Sequence, residues 1–356
     1  MSNDHLLTLL SKVKYPGFSR DIVSFGLVQE TKLDESGKAF VKLELSPNDP
    51  TLPQKLKKEI EETLLEEESI RELDLQLVVK KPKDQGQASS SGDERATAIG
   101  KVKKIVAIAS GKGGVGKSTL SVNLSCALEK ILSSSGKNSR IGLMDCDVYG
   151  PSVPLLIGAN GQPKSIGENL ISPVESYGIK VMSMGFMVDE ETPIVWRGPM
   201  VMKTIQQFSE NVDWGELDIL LIDLPPGTGD AQLSLAQILP LDGVVLVTTP
   251  QKAAVDVARR GARMFEKVNV PILGVVENMS YLEDEESKKK SYLFGQGGGA
   301  ETAVALKTGF LGEIPLHQEV RMGGDHGTPV VVANPENPAS QAIDKIAKSL
   351  MTILGL

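Results

Sequence analysis

The run Ala109-Ser110-Gly111-Lys112-Gly113-Gly114-Val115-Gly116-Lys117-Ser118-Thr119 constrains this chain more than any other. The apolar run Ile105 to Ala109 before it predicts a buried strand, and Leu120 to Leu132 after it predicts a helix. Strand, glycine-rich loop, Lys-Ser and helix in that order are the context of a phosphate-binding loop, the P-loop. Glycines at 111, 113, 114 and 116 let the backbone turn tightly and aim its N–H groups at phosphate oxygens. The helix N-terminus behind them adds a dipole that favours anions. Lys117 is expected against the β- and γ-phosphates, and Ser118 on Mg²⁺, which takes oxygen ligands.

Composition narrows the class. A chain of 356 residues predicts two or three domains with a sizeable core. With 38 Lys and Arg against 46 Asp and Glu, the net charge is −8, which disfavours nucleic acid and anionic lipid as partners. No run of 18 apolar residues predicts a membrane span, and the N-terminus lacks a signal-peptide pattern. Two cysteines, Cys126 and Cys146, make no disulfide framework, and cytoplasm is the expected location.

Residues 1–82 predict a small α+β unit of helix, two strands, helix and strand. Leu6, Leu7, Leu9, Leu10 and Val13 recur at helical spacing, and Leu52 to Glu67 predicts a second, charged helix. Ile22 to Gln29, Ala39 to Leu45 and Leu73 to Val79 are expected strands. Residues 83–100, with Gln85-Gly86-Gln87-Ala88-Ser89-Ser90-Ser91-Gly92, have little to bury and predict a flexible linker. Residues 101–356 alternate strands and helices. The expected strands are Arg140 to Met144, Lys180 to Phe186, Leu217 to Ile222, Val244 to Thr248, Ile272 to Val276 and Leu311 to Ile314. Helices are expected over Pro199 to Val212, Gln251 to Val268 and Pro338 to Leu354. Near-continuous apolar strands in β-α order predict an α/β domain: a mostly parallel sheet covered by helices on both faces. Such sheets bind ligands beyond the carboxyl ends of their strands, where Gly111, Asp145, Asp223 and Asn278 all fall.

Asp223 ends an apolar strand and fits a role in the Mg²⁺ shell. The loop Leu224-Pro225-Pro226-Gly227-Thr228-Gly229-Asp230 after it is placed to respond to a γ-phosphate. Asp145 and Asp147, two apart at a strand end, are expected to aim at a metal or an attacking water, or else one of them caps the next turn. Cys146 between them reads as a small buried side chain.

Lys112, a second lysine inside the loop, makes Gly111 to Thr119 resemble the deviant Walker A motif of the MinD/ParA/ArsA/nitrogenase-iron-protein class. Asp145-Cys146-Asp147-Val148-Tyr149-Gly150-Pro151-Ser152, Asp223 to Asp230 and Val276-Glu277-Asn278-Met279-Ser280 narrow the resemblance to the Mrp/ApbC family of ATP-dependent iron–sulfur cluster carriers. Residues 1–82 resemble the iron–sulfur-assembly domain often fused to it, best at Arg20-Asp21-Ile22-Val23-Ser24-Phe25-Gly26. The resemblance implies ATP and Mg²⁺ as cofactors, a homodimer, iron–sulfur assembly or client proteins as partners, and a cluster as cargo. It implies that Lys112 reaches across the dimer to the other subunit's phosphates and that Asp147 positions or activates water. Asp223 would hold the Mg²⁺ shell with Ser118 and Asp145, Asn278 would bond the adenine edge, and Pro315 would lie near the base.

The sequence also departs from that family. Its members commonly carry Cys-x-x-Cys shortly after the Glu-Asn-Met-Ser-Tyr stretch, where this chain reads Tyr281-Leu282-Glu283-Asp284-Glu285-Glu286-Ser287-Lys288-Lys289-Lys290-Ser291-Tyr292. A cysteine-bearing turn of the small domain is here Ser46-Pro47-Asn48-Asp49-Pro50. Iron–sulfur clusters are held by thiolates, and carboxylates are hard ligands poorly suited to them. No cluster ligand is identified. The leading expectation is an Mg²⁺-dependent ATPase of iron–sulfur protein maturation. The alternatives are an ATP-gated client-binding adaptor and a MinD/ParA-like switch that carries no cluster. The closing helix, with Ile343, Ile346, Leu350 and Ile353 on one face, is expected to pack on the core rather than on a membrane.

Overall fold

A computed structural model describes residues 3–13, 22–23, 27–33, 37–45, 52–65, 67, 70, 72–79, 98–134, 140–148, 150–166, 170–187, 198–284 and 286–356. The chain divides into two compact units, Met1–Asp93 and Glu94–Leu356.

The smaller unit contains α1 (Asn3–Leu10), β1 (Val28–Leu33), β2 (Lys38–Leu45), α2 (Leu52–Leu65) and β3 (Glu72–Val79). Its sheet runs β1-β2-β3, with β1 antiparallel and β3 parallel to β2. Leu56, Ile60 and Leu64 recur every four residues on α2 and are all buried, as are Ala39, Val41 and Leu43 at alternate positions of β2. The expected strand from Ile22 starts only at Val28. Ile22 and Val23 form a turn, and Ile22 plugs the core with its N–H bonded to the Val13 carbonyl. An apolar pair can thus be buried without pairing as a strand. The stretch Arg20 to Gly26 lies largely outside the described residues, and Ser46 to Pro50 entirely so. Of the expected linker, residues 83–97 are also outside them. Its last residues begin a 3₁₀ turn, Ala98–Lys101, whose Ile99 joins the core of the larger unit.

The larger unit continues through β4 (Val102–Ser110), α3 (Lys117–Ser134), β5 (Ile141–Asp145), α4 (Val153–Leu156), β6 (Lys164–Ser165), β7 (Ile171–Ser172), β8 (Val174–Ser176), β9 (Ile179–Ser183), α5 (Gly198–Asn211), β10 (Leu217–Asp223) and α6 (Asp230–Ile238). There follow β11 (Gly243–Thr248), α7 (Lys252–Lys267), β12 (Ile272–Glu283), β13 (Lys290–Ser291), α8 (Gly298–Ala305), β14 (Phe310–Leu316), α9 (Gln318–Asp325), α10 (Val330–Ala333) and α11 (Pro338–Leu354). A nine-stranded sheet runs β13-β12-β11-β4-β10-β5-β9-β8, with β14 also on β12. All its pairings are parallel except β13 and β8 at its margins. Every residue of β5 and β11 is buried, as both covered faces require.

Three elements differ from expectation for local reasons. Lys180 to Phe186 splits into β9 and the 3₁₀ turn Met184–Phe186, because the Ser183 hydroxyl accepts the Gly185 N–H at 2.9 Å. The strand from Ile272 does not stop at Val276 but runs to Glu283, passing a left-handed Met279 with φ 56°. On α11, Ile343, Ile346, Leu350 and Leu354 face the core, whereas Ile353 is exposed. Among the described residues no helix is long and apolar enough to cross a membrane.

Candidate nucleotide site

The carboxyl ends of β4, β5 and β10 meet at one point of the sheet. Asp223 lies beside both Asp145 and Ile108 in register, and β4 passes directly into the loop 111–116 that opens α3. The loop surrounds a cavity of about 220 Å³, walled by Gly113 to Thr119 and, from the facing loops, by Asp147, Gly150, Ser152 and Pro226. Two glycines are dictated by contact. A Cβ on Gly111 would stand 2.5 Å from the backbone of Val257 on α7, and one on Gly116, at φ 79°, 2.3 Å from the Asn278 amide nitrogen.

Behind the loop, charge is concentrated on one buried carboxylate. Lys117 Nζ donates to Asp223 Oδ2 at 2.7 Å and to Ser118 Oγ at 3.2 Å. Ser118 Oγ donates to Asp223 Oδ2, and Ser121 Oγ to Asp223 Oδ1, each at 2.6 Å. Lys117 and Asp223 form an ion pair with side chains 5% and 0% exposed. A pair so buried is held in place by its hydrogen bonds as much as by its charges. Ser121 was not singled out in the sequence. Its signal was its place four residues after Lys117, on the same helix face.

Asp145 does not line the cavity as a metal-facing carboxylate would. Its Oδ1 accepts the Asp147 N–H at 3.0 Å, and its Oδ2 accepts the Ser183 hydroxyl at 2.8 Å and the Val153 N–H at 3.4 Å. Burial, then the neighbouring Asp223 charge, pushes its carboxyl up to about 7. Asp145 therefore organises the loop that presents Asp147, and Asp147 is the carboxylate that reaches the cavity wall.

Lys112 lies away from its own cavity. Its Nζ donates to the Gln251 side chain at 3.0 Å, at the start of α7. Asn278 and Pro315 do not line the cavity either. The Asn278 amide donates to the Val115 carbonyl at 2.9 Å and accepts the Met279 N–H at 3.0 Å, so it braces the P-loop from behind. Pro315 is buried within β14. The loop after Asp223 is tied to the same place. Leu224 N–H bonds the Ile108 carbonyl, Gly227 N–H the Ser110 carbonyl, and the Gln232 amide bridges Ser110 and Pro225.

The stretch 281–292 forms the ends of a β-hairpin. Leu282 and Glu283 of β12 pair with Ser291 and Lys290 of β13. The Asp284 carboxylate accepts both the N–H and the hydroxyl of Ser287, closing the turn. Lys290 Nζ sits 3.8 Å from the Tyr281 ring centre, Tyr281 and Tyr292 meet edge to face, and Lys288 pairs with Glu283 at 3.9 Å. Both cysteines are elsewhere and buried, Cys126 within α3 and Cys146 after β5. Burial pushes the Cys126 thiol up to about 12 and also raises the Cys146 thiol well above its ordinary range.

The comparisons agree with this architecture. A family model described as ParA, NUBPL iron-transfer P-loop NTPase, matches residues 101–351. The chain is 38% identical over 357 residues to an iron-sulfur cluster carrier protein of Helicobacter pylori, covering 99% of this chain and 93% of that one. It is 47% identical over 264 residues to an iron-sulfur protein required for NADH dehydrogenase, mitochondrial, of Arabidopsis thaliana, covering 74% and 83%. A nucleotide-binding protein of Archaeoglobus fulgidus, solved in complex with ADP, superposes with a TM-score of 0.58 at 36% identity, over 68% of this chain and 92% of that one. The cell division ATPase MinD of Pyrococcus furiosus shares the fold, with a TM-score of 0.52 at 22% identity over 70% and 99%. The extent of the family match, and a likeness to the Helicobacter pylori carrier that runs through both units, place this chain in the ParA-type iron-transfer P-loop NTPase family of the iron–sulfur cluster carriers.

Proposed function

We propose that the chain is an Mg²⁺-dependent ATPase that works as a dimer in the maturation of iron–sulfur proteins. The observation that carries the ATPase half is that Lys117 and Ser118, on the wall of a glycine-lined cavity, are both bonded to the buried Asp223 behind it. The donor set fits the metal. Ser118 and Asp223 are hard oxygen donors, and Mg²⁺ in such sites needs few protein ligands because substrate phosphates supply others. When bound, Mg²⁺ neutralises phosphate charge. Lys117 and the loop N–H groups hold the β- and γ-phosphates, and Asp147 on the cavity wall orients water toward the γ-phosphorus. Lys112, held on Gln251 outside its own cavity, is the residue assigned to the partner subunit's phosphates. The cargo role draws on what the relatives' names say of them, cluster carriage and a requirement for NADH dehydrogenase.

A second reading, an ATP-gated adaptor that binds clients and carries no cluster, is favoured by the hairpin at 281–292. Its side chains offer oxygen, amine and phenol groups and no thiol. The test of the ATPase reading is Mg²⁺-ATP turnover and nucleotide affinity in wild type and Lys117→Ala. Loss of both is expected, because a preorganised counter-charge is removed. Unchanged binding and turnover would overturn the assignment.

A further inference from the structure

A second, larger cavity, of about 560 Å³, lies between the loop after Asp223 and α7. Its lining includes Thr228 from that loop, Leu233 of α6, and Arg260, Arg263, Met264 and Lys267 of α7. Arg260, Arg263 and Lys267 are exposed, and among the described residues none of them is held in an ion pair or hydrogen bond. The acidic residues of the same helix, Asp256 and Glu266, do not line the cavity. Among the described residues, three cations with no ion-pair partner thus stand around an apolar floor of Leu233 and Met264, on a chain whose net charge is −8.

Both walls touch the nucleotide site. The backbone of Val257 and Ala258, one to two turns before Arg263 on α7, abuts Gly111 of the P-loop. Thr228 belongs to the loop that starts at Asp223 and is tied to Ser110 through Gly227 and Gln232. Thr228 also approaches Gly261 of α7, its methyl carbon lying 3.5 Å from where a Cβ would stand. A shift at the phosphates that moves either wall changes the width of the groove.

We propose that this groove is a docking site for an acidic protein segment carrying an apolar anchor, and that nucleotide state sets its affinity. Arginine suits the role, since its planar fork bonds carboxylates in pairs and it is enriched at interface centres. A nucleic acid fits less well. A long polyanion would meet the negative remainder of the surface, whereas a short acidic segment meets only the groove within a screening length of about 8 Å. The nucleotide dependence rests on the ATPase reading above; the groove itself does not.

The experiment uses the full chain and a fluorescein-labelled peptide of Glu-Glu-Leu-Leu repeats. A Gln-for-Glu peptide and a labelled single-stranded thymidine oligonucleotide serve as comparison probes. Anisotropy is read with Mg²⁺-ADP and with a non-hydrolysable Mg²⁺-ATP analogue, and nucleotide affinity is measured in parallel. The acidic peptide is expected to bind wild type more tightly than the Gln peptide, with affinity that rises as salt falls and differs between the two nucleotide states. Arg260→Glu/Arg263→Glu is expected to weaken it about tenfold or more with nucleotide affinity intact, and Lys345→Glu, on α11, to leave it unchanged. If the double variant also loses nucleotide, Lys267→Glu is the second reversal, expected to cost about threefold. Equal peptide binding by the reversed variants, or equal binding of the Gln peptide, would overturn the groove. So would tighter binding of the oligonucleotide through the same arginines, or a changed monomer–dimer equilibrium in the double variant. Equal affinity in the two nucleotide states would overturn the coupling. Failure of wild type to bind nucleotide would overturn the ATPase reading while leaving the peptide result interpretable.

Discussion

The carboxyl end of β4 and the far end of β12 belong to one sheet and have opposite chemistry. At the first, three polar side chains converge on one buried carboxylate, and a Cβ on Gly111 or Gly116 would meet a neighbouring atom within 3 Å. At the second, a tight turn displays tyrosines, lysines and carboxylates at the surface. The first site tolerates little change because its groups are buried and mutually dependent. The second is built from surface interactions, each of modest worth, so its residues can be exchanged without loss of fold. The two sites can therefore diverge independently within one molecule.

The largest effect expected from this contrast is all or nothing. Anaerobic reconstitution, read by iron content and visible absorbance, should give no stable cluster or only a labile one, because the hairpin has no thiol and both cysteines are buried with raised pKa values. A near-stoichiometric cluster per dimer, lost in Cys126→Ser/Cys146→Ser, would break the comparison and restore plain carriage. Next in size, Lys112→Ala should slow hydrolysis by about 10³-fold while leaving nucleotide affinity largely intact, as loss of a cation acting in trans does. Mixing it with Asp147→Asn subunits should recover part of the activity, and full activity in an enforced monomer would refute the trans role. The smallest effect sharpens the first site. Asn278→Ala removes the Val115 brace and should weaken ATP by roughly 3- to 10-fold, the worth of about one hydrogen bond, with kcat little changed. A loss of affinity for ATP with affinity for GTP unchanged would instead return Asn278 to the adenine edge.

Much of the first site was legible because its backbone geometry admits few residue types. Glycine at left-handed or crowded positions and a Lys-Ser pair at a helix start leave a mark in any sequence. What stayed hidden depended on distant partners. Asp145 and Asp147 are alike in sequence, and it is bonds from the Asp147 and Val153 N–H groups and from Ser183, 38 residues on, that occupy the Asp145 carboxylate. Asn278 ends an apolar run as a ligand-facing residue would, yet the strand continues and the amide meets Val115, 163 positions away. The helical period placed α11 on the core but assigned Ile353 to the face that Leu354 occupies, since 3.6 residues per turn leaves the phase of the last turn open.

The Lys117–Asp223 pair has a thermodynamic consequence. A phosphate that draws the ammonium away leaves a carboxylate with no exposed surface and no cation, a loss of about 3–5 kcal/mol for typical buried pairs. A divalent ion held by Ser118 and Asp223 would supply positive charge that offsets that loss. Metal and nucleotide would then act as effectors of each other, and linkage requires the two enhancements to be equal: Mg²⁺ would tighten ATP by the factor by which ATP tightens Mg²⁺. Calorimetric titration in both orders measures that factor. In Asp223→Asn, which has no charge to exchange, it should shrink toward the value for Mg²⁺ and ATP free in solution.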